Sequence, residues 1–293
     1  MSKAEKPVGK KQKTNGGEGA ISGPVLIVGG GQMGGVLARH MVGEKAGSWG
    51  PVRVVDPGAE AQKALKSEGI IVSPSLAEAL RKDPSPSLVV LAVKPGVFLR
   101  PGGEIVAVLS QLPPGTLALS VMAGVSLDRL KSGNPSLRWV RAMTNLALSA
   151  GKGMTLLAAG SDVIHGEQSS IYALFAGIGR ALWLPEESFD AATALAGSGP
   201  GLLALVAEAL ADGGVREGLS RETATLLSSW AIYGAGALMA DRGILPESLK
   251  SRVASPSGTT IEGLALLEKR GVRGALIEAV HAMAERSRTL SRS

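Results

Sequence analysis

The sequence predicts an α/β protein in which a doubly wound sheet is followed by an all-helical C-terminal domain. Short apolar segments alternate with helix-like segments from about residue 24 to residue 183. The first of these segments runs into a glycine cluster, and every segment after residue 189 has helical character. Strands that alternate with helices form a parallel sheet covered by helices on both faces.

Residues 1–22 are expected to form a disordered basic tail. This stretch is rich in lysine and glycine and almost without apolar residues, which is typical of disorder. It lacks the apolar core of a signal peptide. The tail holds much of the excess behind the net charge of +6, while the body lacks interleaved basic and aromatic residues, so no nucleic-acid partner is predicted.

The first structured segment, PVLIVGGGQMGGVLARHMV, contains Gly29-x-Gly31-x-x-Gly34 between a strand and a helix. The next strand, VRVVDP, ends in Asp56. Together they give the full context of a dinucleotide fingerprint, in which glycines and a helix start bind a pyrophosphate and the carboxylate accepts from a ribose diol. The alternative is a tight turn beside an ordinary acidic strand end. We therefore expect a Rossmann domain over residues 23–185.

Further strands are predicted in GIIVS, SLVVLAVKP, TLALSVMAG and SLRWVRAMTN, with helices in SLAEALRKD and GGEIVAVLSQL. Ligands of such sheets bind beyond the carboxyl ends of the strands. Taken alone, Lys94 is equally well explained as a solvated strand-end lysine. The predicted cofactor-binding residues are Gly29, Gly31, Gln32, Met33, Gly34, Asp56, Ala92, Val93, Lys94, Pro95, Ala123, Gly124, Met143 and Asn145.

Residues 186–293 are predicted to be helical. Within them, the stretch from Thr223 to Ala240 carries no charge and is nearly long enough to span a membrane. Its Thr, Ser and Gly content and flanking charges favour a helix buried in a core or a dimer, and no membrane partner is predicted.

The chain contains no cysteine, which excludes disulfides, thiolate catalysis and cysteine-ligated metals. This fits a reducing compartment, and we expect a cytoplasmic protein. The histidines His40, His165 and His281 are far apart in sequence and form no metal pattern. No metal site is predicted.

The stretch VASPSGTTIEGL poses a separate question, because it combines hydroxyls and glycine at a helix start. Free backbone N–H groups at such a start can bind an anion. The alternative is that Ser255 or Ser257 only caps the helix.

The motifs LAVKP, SVMAGVS, RAMTN, DAATALAGSGPG and SPSGTTIEGLALLE occur in the order and at about the spacing found in pyrroline-5-carboxylate reductases, and residues 24–290 resemble that family. The resemblance implies reduction of 1-pyrroline-5-carboxylate to L-proline with NADH or NADPH. It also implies a homodimer through the helical domain, in some members a decamer. Ser257 and Gly201 depart from the usual Gly and Ala of the family, and Thr144 stands where many members have Pro and some have Thr.

The same resemblance implies roles for residues of the second domain. Ser255 and the N–H groups of Gly258 and Thr259 would hold the substrate carboxylate, and the Thr260 hydroxyl, as the catalytic candidate, would hydrogen-bond the ring nitrogen. The GSGP turn would face nicotinamide and substrate. The substrate-binding residues are thus Ser255, Ser257, Gly258, Thr259, Thr260, Gly197 and Ser198.

Two rival functions are considered. A β-hydroxyacid dehydrogenase shares the two-domain layout, but it requires a catalytic lysine in a glycine-rich context, which neither Lys250 nor Lys269 has. A non-catalytic nucleotide-sensing scaffold is supported only by Ser257. Asp56, followed by Pro57 and Gly58, predicts that NADH is used at least as well as NADPH, because a carboxylate repels a 2′-phosphate.

Overall fold

The computed structural model describes residues 19–43, 49–83, 85–100 and 103–292. Residues 1–18, which make up most of the predicted tail, lie outside the described residues. The chain divides into two compact units between Glu186 and Glu187, one residue after the predicted boundary. Residues 19–22 are the last four residues of the predicted tail, and the structure describes them. The Ile21 N–H donates to Ser170 Oγ at 3.1 Å, so this end of the predicted tail is bonded to the first unit.

The first unit is built on one eight-stranded sheet with the order β3-β2-β1-β4-β5-β6-β7-β8. All neighbouring strands run parallel except β6 and β7, which are antiparallel. The strands are β1 Val25–Val28, β2 Val52–Val55, β3 Ile71–Ser73, β4 Leu88–Leu91, β5 Leu117–Ser120, β6 Arg138–Met143, β7 Gly153–Ala159 and β8 Gly179–Trp183. The order reverses direction between β1 and β4, which is where dinucleotides bind in such sheets.

Helices connect these strands, and side chains fix the start of several of them. Ser75 accepts from the Glu78 N–H at 3.2 Å, and Ser126 accepts from the Arg129 N–H at 3.3 Å, as N-cap serines do. The helices are α1 Gln32–Val42, α2 Ala59–Ser67, α3 Leu76–Lys82, α4 Pro95–Phe98, α5 Glu104–Leu109, α6 Leu127–Gly133 and α7 His165–Ala176, with a 3-10 helix at Leu146–Ala150.

The core of this unit lies on the central strands. Every residue of β1, β4 and β5 is buried, as expected for parallel strands covered on both faces. Leu37 and Phe175 are fully buried against them from α1 and α7. Truncating either to Ala would cost about 2–5 kcal/mol. These buried side chains therefore stabilise the sheet that positions the strand ends.

The sequence analysis assigned no structure to the last two of the eight strands. The segments GMTLLAAG and RALWLPEE form β7 and β8, and α7 between them was not predicted. Because Ile164–Ala176 mixes apolar and polar residues without a clear stripe, its helical character is weak in the sequence. The uniformly parallel sheet is corrected to one with a single antiparallel pair, β6–β7.

The second unit is helical, as predicted. Its helices are α8 Phe189–Ala196, α9 Gly199–Arg216, α10 Arg221–Arg242, α11 Pro246–Val253, α12 Thr259–Lys269 and α13 Val272–Arg292. Ser220 caps α10 by accepting from the Thr223 N–H at 3.2 Å, and Gly243 ends it at φ 65°. Asp190 on α8 accepts a 2.6 Å hydrogen bond from Ser287 on α13, which joins the two ends of this unit.

The sequence predicted that the uncharged stretch within α10 is buried either in a core or in a dimer. The helix α10 is exposed in the single chain, so the prediction of burial in a core is wrong. Leu226, Leu227, Trp230 and Tyr233 are each more than half exposed. Apolar surface of this kind marks an interaction face. The buried apolar residues of this unit are few and mostly small, namely Phe189, Ala194, Ala211, Ala224 and Ala284.

Within the described residues, one helical stretch passes a length-and-composition test for spanning a membrane. It covers residues 186–216, with mean hydropathy 1.5, and therefore lies before the stretch singled out in the sequence. Glycines and a proline between residues 197 and 201 divide it into α8 and α9. Helices that pack against other helices on all sides share this apolar character.

Candidate active site

The three glycines of the fingerprint after β1 differ in what surrounds them. Gly29 has φ 103°, and a Cβ there would lie 2.5 Å from the Ala92 carbonyl oxygen; at Gly34 a Cβ would lie 1.9 Å from the Gly29 oxygen. A Cβ at Gly31 would meet nothing within 4 Å. Protein packing therefore demands glycine at Gly29 and Gly34 but not at Gly31. The open space beside Gly31 is what a pyrophosphate needs in order to approach the backbone.

Asp56, at the end of β2, holds this turn in place. Its Oδ2 accepts from the Gly30 N–H at 2.7 Å, and its Oδ1 accepts from the Gly58 N–H at 2.8 Å. Each carboxylate oxygen has two lone pairs, so both keep capacity for a ribose hydroxyl. The predicted ribose acceptor is thus also a structural anchor of the glycine turn, which the sequence did not reveal.

The other predicted cofactor residues lie just after the carboxyl ends of the neighbouring strands, at the same edge of the sheet. Residues 92–95 follow β4, and the Ala92 N–H donates to the Val28 oxygen at 2.8 Å. Gly124 follows β5 at φ 72°, beside exposed Ala123. Exposed Gln32 begins α1, whereas Met33 packs against the core.

Met143 and Asn145 lie at the carboxyl end of β6. The Asn145 side chain accepts from the Ala147 N–H at 3.1 Å and so caps the 3-10 helix that follows. Between them, Thr144 Oγ1 accepts from Thr155 Oγ1 at 2.9 Å. Thr155 was not predicted as a site residue; its signal is a single polar residue inside the apolar strand β7.

This edge fits a dinucleotide. The carboxyl ends of β2, β1, β4, β5 and β6 are neighbours in the sheet, so residues far apart in sequence converge there. The start of α1 offers N–H groups without intrahelical acceptors, next to the space at Gly31. Gly29, Gly31, Gly34 and Asp56 are the residues that would hold NADH or NADPH.

The histidines take no part in this edge. Burial lowers the pKa of His40, whose ring packs against Gly177. His165 begins α7 and His281 lies on α13. Within the described ranges, no group of three His, Cys, Asp or Glu side chains is arranged to hold a metal ion.

The loop of residues 254–258 precedes α12 in the second unit. Ser257 has φ 57° and is the one described non-glycine residue with positive φ, a conformation that costs a side-chain-bearing residue roughly 1–2 kcal/mol. This gives a physical reason for glycine being usual in the family. A Cβ at Gly258 would lie 2.2 Å from Ser255 Oγ, so the Ser255 hydroxyl lies directly over Gly258.

The start of α12 differs in one respect from each of the two interpretations of the sequence, the anion site and the helix cap. Gly258 is the N-cap and makes no side-chain cap bond, so neither Ser255 nor Ser257 caps the helix. The Gly258 N–H donates to the Ser255 oxygen at 3.1 Å and is not free as expected. The N–H groups of the first turn, beginning with Thr259, lack intrahelical acceptors. Thr259 and Thr260 are both exposed there.

The GSGP turn joins α8 to α9. The N–H groups of Gly197 and Ser198 both donate to the Thr193 oxygen, at 2.8 and 3.1 Å. A Cβ at Gly199 or Gly201 would meet nothing within 4 Å. The alanine usual in the family at position 201 would therefore fit without displacing any described atom.

Comparisons with known proteins agree with these features. The family model described as pyrroline-5-carboxylate reductase dimerisation matches residues 186–290. A pyrroline-5-carboxylate reductase from Synechocystis is 38% identical over 270 residues, which are 91% of this chain and 97% of the relative. That from Arabidopsis thaliana is 35% identical over 277 residues, 94% of this chain and 98% of the relative.

Solved structures show the same likeness. A pyrroline-5-carboxylate reductase from Coxiella burnetii superposes with a TM-score of 0.81 at 26% identity, covering 93% of this chain and 100% of that one. A pyrroline carboxylate reductase from Plasmodium falciparum, solved with NADP bound, has a TM-score of 0.76 at 26% identity, with the same coverage. With identity of 35–38% over nearly the whole length of its relatives, the chain belongs to the pyrroline-5-carboxylate reductase family.

Proposed function

We propose that the chain reduces 1-pyrroline-5-carboxylate by binding NAD(P)H at the strand edge of the first unit and the substrate carboxylate at the start of α12. The reaction of the family is the NAD(P)H-dependent reduction of 1-pyrroline-5-carboxylate to L-proline, and this chain is an oxidoreductase of that kind. The substrate and cofactor residues are the part that the proposal adds.

The observation that carries the proposal is the open space beside Gly31. Gly29 and Gly34 are explained by close protein contacts, whereas Gly31 faces no protein atom within 4 Å. Protein packing therefore does not explain the glycine at this position of the fingerprint, whereas close approach of a pyrophosphate would. The Asp56 carboxylate at the end of β2 and the N–H groups at the start of α1 match a dinucleotide.

For the substrate, the start of α12 supplies the complementary chemistry. The Thr259 N–H and the Ser255 hydroxyl would hold the carboxylate, favoured by the positive end of the helix dipole. Ser257 would contact the carboxylate from the turn, and the Gly258 N–H, bonded to the Ser255 oxygen, would stabilise that turn. The Thr260 hydroxyl would hydrogen-bond the ring nitrogen.

The proposed chemistry needs little acid–base machinery from the protein. A cyclic imine is protonated by solvent near neutral pH, and NAD(P)H held at the strand edge would supply a hydride to the iminium carbon. The chain's residues then act by orientation: they fix the carboxylate and the ring nitrogen. Gly197 and Ser198, at the GSGP turn, would line the side of the ring.

The chain forms a homo-oligomer, and we infer that the helical unit supplies its dimer interface. The family match to residues 186–290 and the exposed Leu226, Leu227, Trp230 and Tyr233 support this. Sedimentation would separate the dimer from a decamer built of such dimers. We also propose a cytoplasmic enzyme with no nucleic-acid or membrane partner.

The test is oxidation of NADH and NADPH by the purified full chain with 1-pyrroline-5-carboxylate, followed at 340 nm, a standard wavelength for these cofactors. The expected result is cofactor oxidation that forms equimolar proline, with no turnover of 3-hydroxyacids in the presence of NAD⁺ or NADP⁺. Turnover of a 3-hydroxyacid without imine reduction would favour the β-hydroxyacid dehydrogenase alternative. Cofactor binding without turnover of either substrate would favour the nucleotide-sensing scaffold.

A further inference from the structure

We propose that Thr155 is a positioning residue for cofactor binding, which acts through its hydroxyl bond to Thr144. The inference rests on the proposed placement of NAD(P)H at the edge that contains Met143 and Asn145. Thr155 itself lies on β7, the strand next to β6, and nothing in the dinucleotide fingerprint includes it.

The two hydroxyls form a buried pair. Thr155 Oγ1 donates to Thr144 Oγ1 at 2.9 Å, with Thr155 fully buried and Thr144 only 9% exposed. Buried polar groups are stable only when they are hydrogen-bonded. Each threonine therefore constrains the other, and the bond fixes the side-chain torsion of Thr144.

The pair continues the strand register into the turn. Residues 140–143 of β6 pair with residues 159–156 of antiparallel β7, ending with Met143 opposite Leu156. The next pair in this register is Thr144 and Thr155, beyond the last residue of β6. The hydroxyl bond thus joins the segment after β6 to β7, just beyond the last backbone pair of the two strands.

Asn145 comes directly after Thr144 in the chain. Its side chain accepts from the Ala147 N–H, and its carbonyl accepts from the Leu148 N–H, both at 3.1 Å. The 3-10 helix therefore starts from a residue whose position depends on Thr144. The arrangement pre-forms the turn at the cofactor edge before any ligand arrives, and pre-formed sites bind more tightly because less ordering is left to binding.

The pair also gives Thr144 a role at a position where many members of the family have Pro and some have Thr. Proline carries no hydroxyl and would leave the buried Thr155 hydroxyl without this partner. Threonine at position 144 and threonine at position 155 are therefore expected to act as a unit. Substituting both should cost less than the sum of the single substitutions.

The experiment measures the dissociation constant of NADH and of NADPH, by cofactor fluorescence without substrate, for the wild-type chain, Thr155→Val and Thr155→Ser. Valine keeps the shape and removes the hydroxyl, whereas serine keeps the hydroxyl. The expected result is a rise on the order of five- to tenfold for Thr155→Val, a change below about twofold for Thr155→Ser, and kcat at saturating cofactor near the wild-type value.

Thr116→Val is the matched control, because it removes a 2.7 Å hydroxyl bond to the Pro113 oxygen at the opposite, amino end of β5. It should leave the dissociation constants unchanged. A Thr155→Val chain with a lower melting temperature but wild-type dissociation constants would overturn the proposal in favour of a purely structural role, as would equal effects of Thr155→Val and Thr155→Ser. A wild-type chain that binds neither cofactor would instead contradict the proposed function itself.

Discussion

The charge of Asp56 is expected to set the choice between NADH and NADPH. The perturbation is Asp56→Asn, which removes the charge and keeps the shape. In the wild-type chain Oδ2 accepts from the Gly30 N–H at 2.7 Å and Oδ1 from the Gly58 N–H at 2.8 Å. An asparagine can serve only one of these donors, because its amide nitrogen is itself a donor.

The magnitude follows from the bonds involved. Hydrogen bonds to a charged group contribute about 1.5–3 kcal/mol, and those between neutral groups about 0.5–1.5 kcal/mol. A ribose diol that bonds to a neutral asparagine instead of a charged aspartate loses on the order of 1–1.5 kcal/mol, or about five- to tenfold in NADH affinity. NADPH gains from the loss of repulsion against its 2′-phosphate, so the NADPH-to-NADH ratio should rise by about tenfold or more.

The assay compares kcat/KM for the two cofactors at saturating 1-pyrroline-5-carboxylate in the wild type, Asp56→Asn and Asp56→Ser. Asp56→Ser should shift the ratio in the same direction but lower the melting temperature further, because the shorter side chain cannot reach both N–H groups. Glu104→Gln, an exposed carboxylate in the first turn of α5, controls for net charge. A wild-type chain with a strong NADPH preference that neither Asp56 variant alters would refute the placement of the ribose.

Three further changes test the second unit. Thr260→Ala should lower kcat/KM by about fivefold or more, because the loss of a hydrogen bond costs roughly 1 kcal/mol, and it should leave the cofactor dissociation constant unchanged. An unaltered kcat/KM would remove Thr260 from the mechanism. Ser257→Gly should relieve the strain of φ 57° and raise the free energy of unfolding by about 0.5–1 kcal/mol after the entropy cost of glycine; a lower melting temperature would contradict this. Trp230→Glu, on the exposed face of α10, should shift the sedimentation profile toward monomer, while Lys250→Glu on α11 should not; a stable, active wild-type monomer at micromolar concentration would contradict the dimer.

The glycine turn and the strand end at Asp56 were predictable because their signals are local, whereas the cofactor's placement there stays a prediction. A glycine cluster between an apolar strand and a helix, followed by Asp56 at the next strand end, specifies a turn and its ligand through backbone geometry alone. The strands β1, β4 and β5 were equally clear, because burial on both faces leaves them apolar at nearly every residue.

What the sequence did not reveal depends on contacts between distant residues. The Thr144–Thr155 bond becomes visible only when β6 and β7 are known to be antiparallel. The second role of Asp56, as acceptor from the Gly30 and Gly58 N–H groups, can be recognised only in the folded turn. The engaged N–H of Gly258 is likewise a property of the folded loop, and it leaves Thr259 as the first N–H donor of the proposed carboxylate site.

The most direct measurement follows isotope transfer from the C4-deuterated cofactor, labelled on the transferred face, to the product. The full chain is incubated with 1-pyrroline-5-carboxylate and labelled NADH or NADPH in ordinary water, and the proline is analysed by NMR and mass spectrometry. The account predicts one deuterium per proline, at the ring carbon that formed the C=N bond. Proline without deuterium, or no proline despite cofactor binding, would contradict it.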